Sequence, residues 1–368
     1  MRKVTIQEIA DKVGVSTMTV TRALRNLSGI SITRKKQIQK IANELGYMDP
    51  HTKPITANKR LTKNSACAEG GSNETTTSHQ PNHRATHRYS ICVVVPSRPH
   101  YFWDKALQGI LDVDVQNEQF TFTVIFYSDY SDEEDVYNCL WQAETILDGI
   151  DAYIIVPNNM ATVCSCIRRL AKDKPVFLLN EWVDAGAMAF VGSDPKQDGR
   201  LLARMWKKHF TGYNRILTLH TNEHYMVRVR NSAFFGELER SGADYHIVGK
   251  IENSDTPPIR MTSHLAQSMS QYVHAKAFNC LYVSQGFIPQ ACSALQRIRL
   301  PDKAVCIGYE QNKNNEKHIK NGLLGMVLSQ DIYGQGRLCM EKLRDYLECG
   351  RPPEEHFFYV PSQIWVNL

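Results

Sequence analysis

Residues 4–27, VTIQEIADKVGVSTMTVTRALRNL, spell a helix, a three-residue turn and a second helix whose outer face holds nothing apolar enough to need burial. Thr5 can cap the first helix with Glu8 three positions on, the pattern of a capping box. Ile6, Ile9, Ala10 and Val13 then fall on one face at helical spacing. Gly14-Val15 closes that helix and Ser16 can cap the next, whose inward stripe is Val20, Ala23, Leu24 and Leu27. Thr17, Met18, Thr21, Arg22 and Arg25 are left on the opposite side, placed for contact with a nucleic-acid groove.

An ordinary helical hairpin would show the same apolar stripes, so the residues that follow decide between the two. Ser31 or Thr33 can cap a third helix running to Leu45, with Ile38, Ile41 and Leu45 inward and Arg34, Lys35, Lys36 and Lys40 on the remainder. Residues 1–48 hold 9 Lys/Arg against 3 Asp/Glu, a surplus of six, whereas the whole chain of 368 residues has a formal net charge of +5. The positive charge is concentrated in this unit, as a phosphate-binding surface requires.

On these residues the head resembles the DNA-binding domain of the lactose-repressor (LacI) family. The pattern T-I-x-x-I-A-x-x-x-G-V-S-x-x-T-V-x-R-x-L runs without a gap from Thr5 to Leu24, and Ser31, Thr33, Arg34, Ile38, Leu45, Gly46 and Tyr47 fit its continuation. The resemblance implies that Thr17, Met18 and Arg22 read base edges in the major groove, Arg22 with the geometry for a bidentate bond to guanine. It leaves Thr5, Ser16, Thr19 and Thr21 as phosphate contacts, which position the head without specifying sequence.

Residues 49–88 change composition to Pro, Thr, Ser, Asn, His and Lys, and residues 66–88 contain no periodic apolar position. Such a stretch cannot bury enough surface to offset its ordering entropy and is expected to be a disordered linker. His79, His83 and His87 recur every four residues, but Pro81 and the absence of a cap argue against a helix that would align them on a metal. LacI-type proteins place a short hinge helix here that wedges a leucine into the minor groove. Leu61 is the one candidate for that contact, later than the family spacing and preceded by Pro50 and Pro54.

From Tyr89 onward the apolar runs ICVVVP, FTVIFY, AYIIVP, PVFLLN, AFVGS, RILTLH, NCLYVS and AVCIGY alternate with amphipathic segments. Helices are expected at 103–115, 132–147, 196–209, 227–239, 288–296 and 333–346. This alternation predicts an α/β fold with parallel sheets covered on both faces. So many strands suit two doubly wound subdomains, with a ligand between them at the carboxyl ends of the strands. The fold class expected is thus a small all-α helix-turn-helix domain (1–48), an atypical hinge or disordered linker (49–88), and an α/β effector-binding and dimerisation domain of two parallel-sheet subdomains (89–368).

The last region carries 28 Lys/Arg against 32 Asp/Glu, so it is no second nucleic-acid surface. It resembles the periplasmic-binding-protein-like (type I) effector domain of the same family, through HYFWDKALQGI, DGIDAYIIVP, VGSDPKQDG, RNSAFF, CLYVSQ, IGYE and SQDIYGQG. That resemblance makes Arg230 the effector-contacting arginine, and a guanidinium there can donate in a fork to hydroxyls or a carboxylate. Gln330 matches a ligand-reaching glutamine, and Glu310 stands where Asp is usual. Ser284-Gln285 replaces Asn-Asp, and Glu181-Trp182 after PVFLLN reverses the charge of a common arginine. Phe102, Trp103 and Trp182 are candidates for stacking on a sugar face, with core packing as the competing role for the first two. Asp194 either meets the effector or caps the helix that follows it.

No run of ~18 apolar residues suggests a membrane span and no secretory leader opens the chain, so a cytoplasmic location is expected. The ten cysteines are scattered without C-x-x-C spacing, and Cys92, Cys280 and Cys306 sit in apolar runs as small hydrophobes. No nucleophile elbow, phosphate loop, zinc-protease motif or dinucleotide fingerprint occurs, so neither catalysis nor a metal or cofactor is expected. His220 and His224 fall at a strand end where helical ligand geometry is not anticipated. The expectation is a homodimeric, double-stranded-DNA-binding transcriptional regulator, by family a repressor, controlled by a carbohydrate-like effector. A solute-binding protein without a transcriptional role is the competing reading.

Overall fold

The computed structural model describes residues 5–20 except Met18, then 38, 41–42, 88–114, 119–128, 132–145, 147–221, 225–253, 258–273, 278–300, 302–310 and 315–367. Within the head, helix α1 spans Ile6–Val13. Thr5 caps it: its backbone N–H donates to the Glu8 carboxylate at 2.8 Å while the Glu8 N–H donates to the Thr5 hydroxyl. Gly14 ends the helix with φ +72°, in the left-handed region that costs glycine least. Ile9, Ala10, Val13, Val20, Ile38 and Ala42 form a small shared core, with Ile41 against it, so the helices meet on the faces the periodicity marks. Ala23, Leu24, Leu27 and Leu45, like Met18, Thr21, Arg22, Arg25 and Leu61, lie outside the described residues, as does almost all of the 49–88 segment.

The remainder forms two lobes, each built on a six-stranded sheet. The first lobe runs β1 (Tyr89–Pro96), α2 (His100–Leu111), β2 (Phe120–Tyr127), α3 (Glu133–Thr145), β3 (Ala152–Ile155), α4 (Ala161–Asp173), β4 (Val176–Leu179) and β5 (Ala189–Gly192). The second runs α5 (Pro195–His209), β6 (Arg215–Thr221), α6 (Tyr225–Arg240), β7 (His246–Asn253), α7 (Pro258–Ser270), β8 (Cys280–Val283), α8 (Ile288–Leu295), β9 (Val305–Tyr309), α9 (Glu316–Lys320) and β10 (Leu324–Ser329). The chain then returns to the first lobe with α10 (Ile332–Cys349) and β11 (Phe357–Tyr359), and crosses back for β12 (Gln363–Val366).

The strand orders are β11-β5-β4-β3-β1-β2 and β12-β10-β9-β8-β6-β7, parallel throughout except β12, which pairs antiparallel with β10 through Val327 and Trp365. Sheets sheathed by helices on both faces need apolar residues at every strand position rather than at alternate ones. β1 shows this directly: Ile91, Val93 and Val95 enter the core beneath α2 and α10, while Cys92 and Val94 enter the one beneath α3 and α4. In the second lobe Leu217 and Leu219 face α7 and α8, and Ile216 faces α5 and α6. Tight helix crossings are set by glycine. A Cβ on Gly336 of α10 would run into the Ala106 carbonyl of α2, and one on Gly199 of α5 into the Arg230 carbonyl of α6.

Every expected strand and helix of this region is present, but the expected inventory is short. α4, α7 and α9, with β7, β10, β11 and β12, were absent from it. Cys164 and Cys166 lie on α4 as buried thiols. Among the described residues no helix is long and apolar enough to cross a membrane, and no cluster of His, Cys, Asp and Glu has the arrangement to hold a metal ion.

Candidate functional site

The chain passes between the lobes three times: at Ser193–Asp194 after β5, at Gln330–Asp331 after β10, and through residues 360–362 between β11 and β12. Buried and half-buried polar side chains at these passages form one network. The Gln330 Oε1 accepts from Asn180 Nδ2 at 2.8 Å, Ser193 Oγ at 3.2 Å and Gln335 Nε2 at 3.3 Å. Its Nε2 donates to the Glu310 carboxylate at 2.6 Å. Asn180 and Glu310 are the residues immediately after β4 and β9, one from each lobe, and both hold left-handed backbones with φ +65° and +72°. Such conformations persist at non-glycine residues only where surrounding bonds fix them. Here the Asn180 N–H donates to Val191 O and the Glu310 N–H to Leu328 O, each at 2.8 Å.

Beside this network lies Arg230, in the second turn of α6 and only 6% exposed. Its guanidinium carbon sits 3.9 Å from the centre of the Tyr309 ring, a cation–π contact, and Nη2 donates to the Ser284 carbonyl at 3.2 Å. Its Nε is buried without a hydrogen-bond partner among the described residues, and so is the hydroxyl of Ser284, whose side chain is fully enclosed. Tyr309 is held by Tyr282, which donates to Asn231 Oδ1 at 2.6 Å; Asn231 in turn reaches His220 Nδ1 at 3.4 Å.

Three carboxylates share the field of that guanidinium. Burial pushes the Glu310 carboxyl up to about 7, against the opposing pull of Arg230 and Gln330. Burial pushes Glu181, next to Asn180, up to about 8, against Arg230, the Met226 backbone N–H and Arg228. Asp198, on α5 beside Ser193 and Ser362, is also raised by burial and pulled down by Arg230. The Glu181 contact joins the lobes: a carboxylate at the end of β4 takes an N–H from the first turn of α6.

Of the residues expected from sequence, the structure brings Arg230, Ser284, Glu310 and Gln330 together, with Gln285 adjoining Ser284. Four others fall elsewhere. Trp103 is 6% exposed within the core beneath α2, edge-on to a half-buried Phe102 at 4.9 Å, so packing accounts for both rings. Trp182 packs on Phe357 at 4.6 Å and Phe190 at 6.1 Å, along the sheet edge made by β5 and β11. Asp194 is the cap of α5, its carboxylate accepting from the N–H groups of Lys196 and Gln197. In the head, Thr17 is exposed, while Ser16 caps the second helix through the Thr19 N–H at 3.2 Å and shares a 2.9 Å hydrogen bond with the Thr19 hydroxyl. His224 lies outside the described residues.

Asn180, Ser193, Asp198, Tyr309 and Gln335 were not anticipated, and Glu181 was noted only for its charge. All but Asp198 and Gln335 sit at or just beyond strand ends, and that position was the available signal.

Two covered parallel sheets, three passages and a polar seam with an enclosed arginine define a two-lobed ligand-binding domain carried behind a helical head. The periplasmic binding protein domain family matches residues 91–352, and the bacterial regulatory proteins of the lacI family match residues 5–49. The chain therefore belongs to the periplasmic-binding-protein domain family and joins to it a LacI-family regulatory head, the architecture of a LacI-type regulator.

Similar solved structures agree on the fold. A LacI-family transcriptional regulator from Silicibacter pomeroyi aligns over 99% of this chain and 98% of its own, at 19% identity and a TM-score of 0.58. A putative LacI transcriptional regulator from Bacteroides fragilis covers 76% of this chain and 97% of its own, at 16% identity and TM-score 0.65. GanP, a glucose-galactose binding protein from Geobacillus stearothermophilus, covers 76% and 98%, at 14% identity and TM-score 0.66. A comparison with curated protein sequences gives no match.

Proposed function

We propose that the protein is a DNA-binding transcriptional regulator whose operator affinity is set by a small polyhydroxylated effector held at the seam between the lobes. The observation that carries this reading is Arg230: an enclosed guanidinium with one face on an aromatic ring and an unsatisfied Nε, beside an equally unsatisfied Ser284 hydroxyl. Buried polar atoms left without partners cost about 1–3 kcal/mol each, a cost that a ligand's hydroxyls would relieve. The similar solute-binding structures support a sugar-sized occupant, one being a glucose-galactose binding protein and others being complexes with D-arabinose or myo-inositol.

Coupling to DNA then needs only that the effector bind one arrangement of the lobes better than another. Glu181 reaching the α6 backbone, and Gln330 tying Asn180 to Glu310, are contacts between lobes that such an effector would compete for or reinforce. In this reading the regulator works in the cytoplasm as a homodimer that sets two heads on a double-stranded operator, with Thr17, Met18 and Arg22 toward the bases. Thr5, Ser16, Thr19 and Thr21 lie toward phosphates, and Leu61 remains the candidate hinge contact.

Selection of operator sequences with the full chain tests the DNA half. Arg22→Ala should relax preference at one base pair per half-site by ~1–3 kcal/mol. Unchanged preference would remove Arg22 from base reading. Failure to select any sequence, with or without sugars present, would favour a solute-binding role instead.

A further inference from the structure

Behind Arg230 a relay of buried side chains leads away from the seam and ends on His220, near the carboxyl end of β6. Helix α6 makes three contacts with it. Arg230 lies 3.9 Å over the Tyr309 ring, Asn231 Oδ1 accepts from the Tyr282 hydroxyl at 2.6 Å, and Phe234 stacks on the Tyr282 ring at 4.6 Å. Tyr282 and Tyr309 come from the neighbouring strands β8 and β9 and meet edge to face, with centroids 6.1 Å and hydroxyls 3.4 Å apart.

The distances give the relay a direction. A separation of 2.6 Å suits O–H···O and is short for N–H···O, which places the Asn231 oxygen, not its nitrogen, toward Tyr282. The amide nitrogen is therefore the atom 3.4 Å from His220 Nδ1. It can only donate, so Nδ1 accepts and the proton of a neutral imidazole sits on Nε2. Tyr282 has one proton and gives it to Asn231, which leaves Tyr309 as the donor between the two hydroxyls.

Resting on the reading of Arg230 as the effector contact, we propose that Tyr282 and Asn231 are its positioning residues and that their relay holds only while His220 is neutral. A protonated His220 would present Nδ1–H to the Asn231 N–H, donor against donor. Relief requires the amide to turn over. That exchanges the short bond to Tyr282 for a longer N–H···O contact and loosens the ring pair beneath Arg230. His220 is met from α6 by Asn231 and pairs in register across the sheet with Glu252 of β7, whose carboxylate Lys250 engages at 2.9 Å. Effector affinity should therefore fall when His220 takes a proton, and by linkage a bound effector should make His220 harder to protonate.

Magnetic resonance of the full chain, with nitrogen-15 in its histidine rings and arginine side chains, tests the relay without any ligand; His220→Gln and Arg230→Lys identify the two signals. In the wild type at pH 8 the His220 ring should carry its proton on Nε2. Asn231→Asp still accepts from Tyr282 but turns a second acceptor toward Nδ1, so the His220 titration midpoint should rise by about one pH unit or more. Tyr282→Phe, first checked for an intact melting transition, should move the Nε–H resonance of Arg230, whose guanidinium lies over the Tyr309 ring. A proton on Nδ1, an unmoved midpoint in Asn231→Asp or an unmoved Arg230 resonance in Tyr282→Phe overturns the proposal. Calorimetry with D-glucose, D-galactose, D-arabinose and myo-inositol measures the consequence for binding. Tyr282→Phe and Asn231→Asp should each weaken the tightest of these about tenfold, and undiminished binding in both removes the positioning role. Binding of none of the sugars to the wild type counts against the effector reading alone, because the ring and guanidinium spectra decide the relay by themselves.

Discussion

Arg230 concentrates the chemistry of the second lobe in one side chain. Its guanidinium lowers the proton affinity of Glu181, Glu310 and Asp198 at once, so Arg230→Met would leave three buried carboxyls still more protonated and remove the fork that faces the seam. Ligand-induced stabilisation in a thermal-shift titration should disappear, while the far-ultraviolet spectrum stays unchanged; retention of the full shift would displace Arg230 from the site. Glu310 and Glu181 also make stability depend on pH. Their folded values of about 7 and 8 exceed the ordinary 4.5, so the native state holds protons that the unfolded chain has released. The stabilisation is complete below about pH 4.5 and is lost as the pH rises through 7 and 8. Urea titrations at pH 5 and pH 8 should show the decline, and Glu310→Gln should flatten it by on the order of 2 kcal/mol. An unaltered slope would mean that Glu310 is charged throughout.

At the level of elements, the glycine crossings tie helix packing to the site. Gly199 lies against the backbone of Arg230 itself, so Gly199→Ala must push α6 away from α5 and carry the guanidinium with it. Gly336→Ala disturbs α2 against α10, whose contact lies in the first lobe. Both should cost about 1–3 kcal/mol by overpacking, but only Gly199→Ala should weaken effector binding severalfold, as calorimetry would show. Equal effects on binding would mean that the crossing does not position Arg230.

The elements legible in the sequence were those with a periodic or uniformly apolar signature: the head's α1, β1 with its ICVVVP, and α5 with its Asp-Pro start. Helix α4, ATVCSCIRRLAKD, was passed over because its buried face is made partly of Cys164 and Cys166 rather than of large aliphatic side chains. Strand β12 alternates exposed and half-buried residues on a sheet edge, a weak pattern. The candidate seam was legible where a residue type carried its own chemistry, as with Arg230, Glu310 and Gln330, which the structure brings together. Trp103 misled because a large aromatic just past a strand suits a core as well as a ligand. The left-handed turn at Glu310 left no trace in residue type, whereas Asn180 is of a type that tolerates that conformation.

For the whole molecule, Gln330 is the side chain that reads both lobes. Four hydrogen bonds to Asn180, Ser193, Gln335 and Glu310 converge on one amide in the second passage. Gln330→Leu keeps the volume and removes them. Asn180 retains its 2.9 Å bond to Gln335, so the first lobe should fold. The relative setting of the lobes should loosen, seen as a larger radius of gyration by small-angle scattering without ligand and a roughly tenfold weaker effector affinity by calorimetry. An identical scattering profile would place the control of lobe geometry elsewhere in the passages.

The return of α10 and β11 to the first lobe also bears on how the protein is made. Ile332, Cys339, Met340 and Leu343 fill the same core as Ile91 and Val93, and Tyr333 donates to Asp112, 221 positions earlier. At common rates of synthesis those partners emerge from the ribosome roughly 10–40 s after the strands they cover. During that interval one face of the first sheet is covered by α2 alone and its β5 edge is unpaired. The second lobe, which then lacks only its edge strand β12, can close most of its own core first, so the lobe that begins earlier in the chain waits longer for its core.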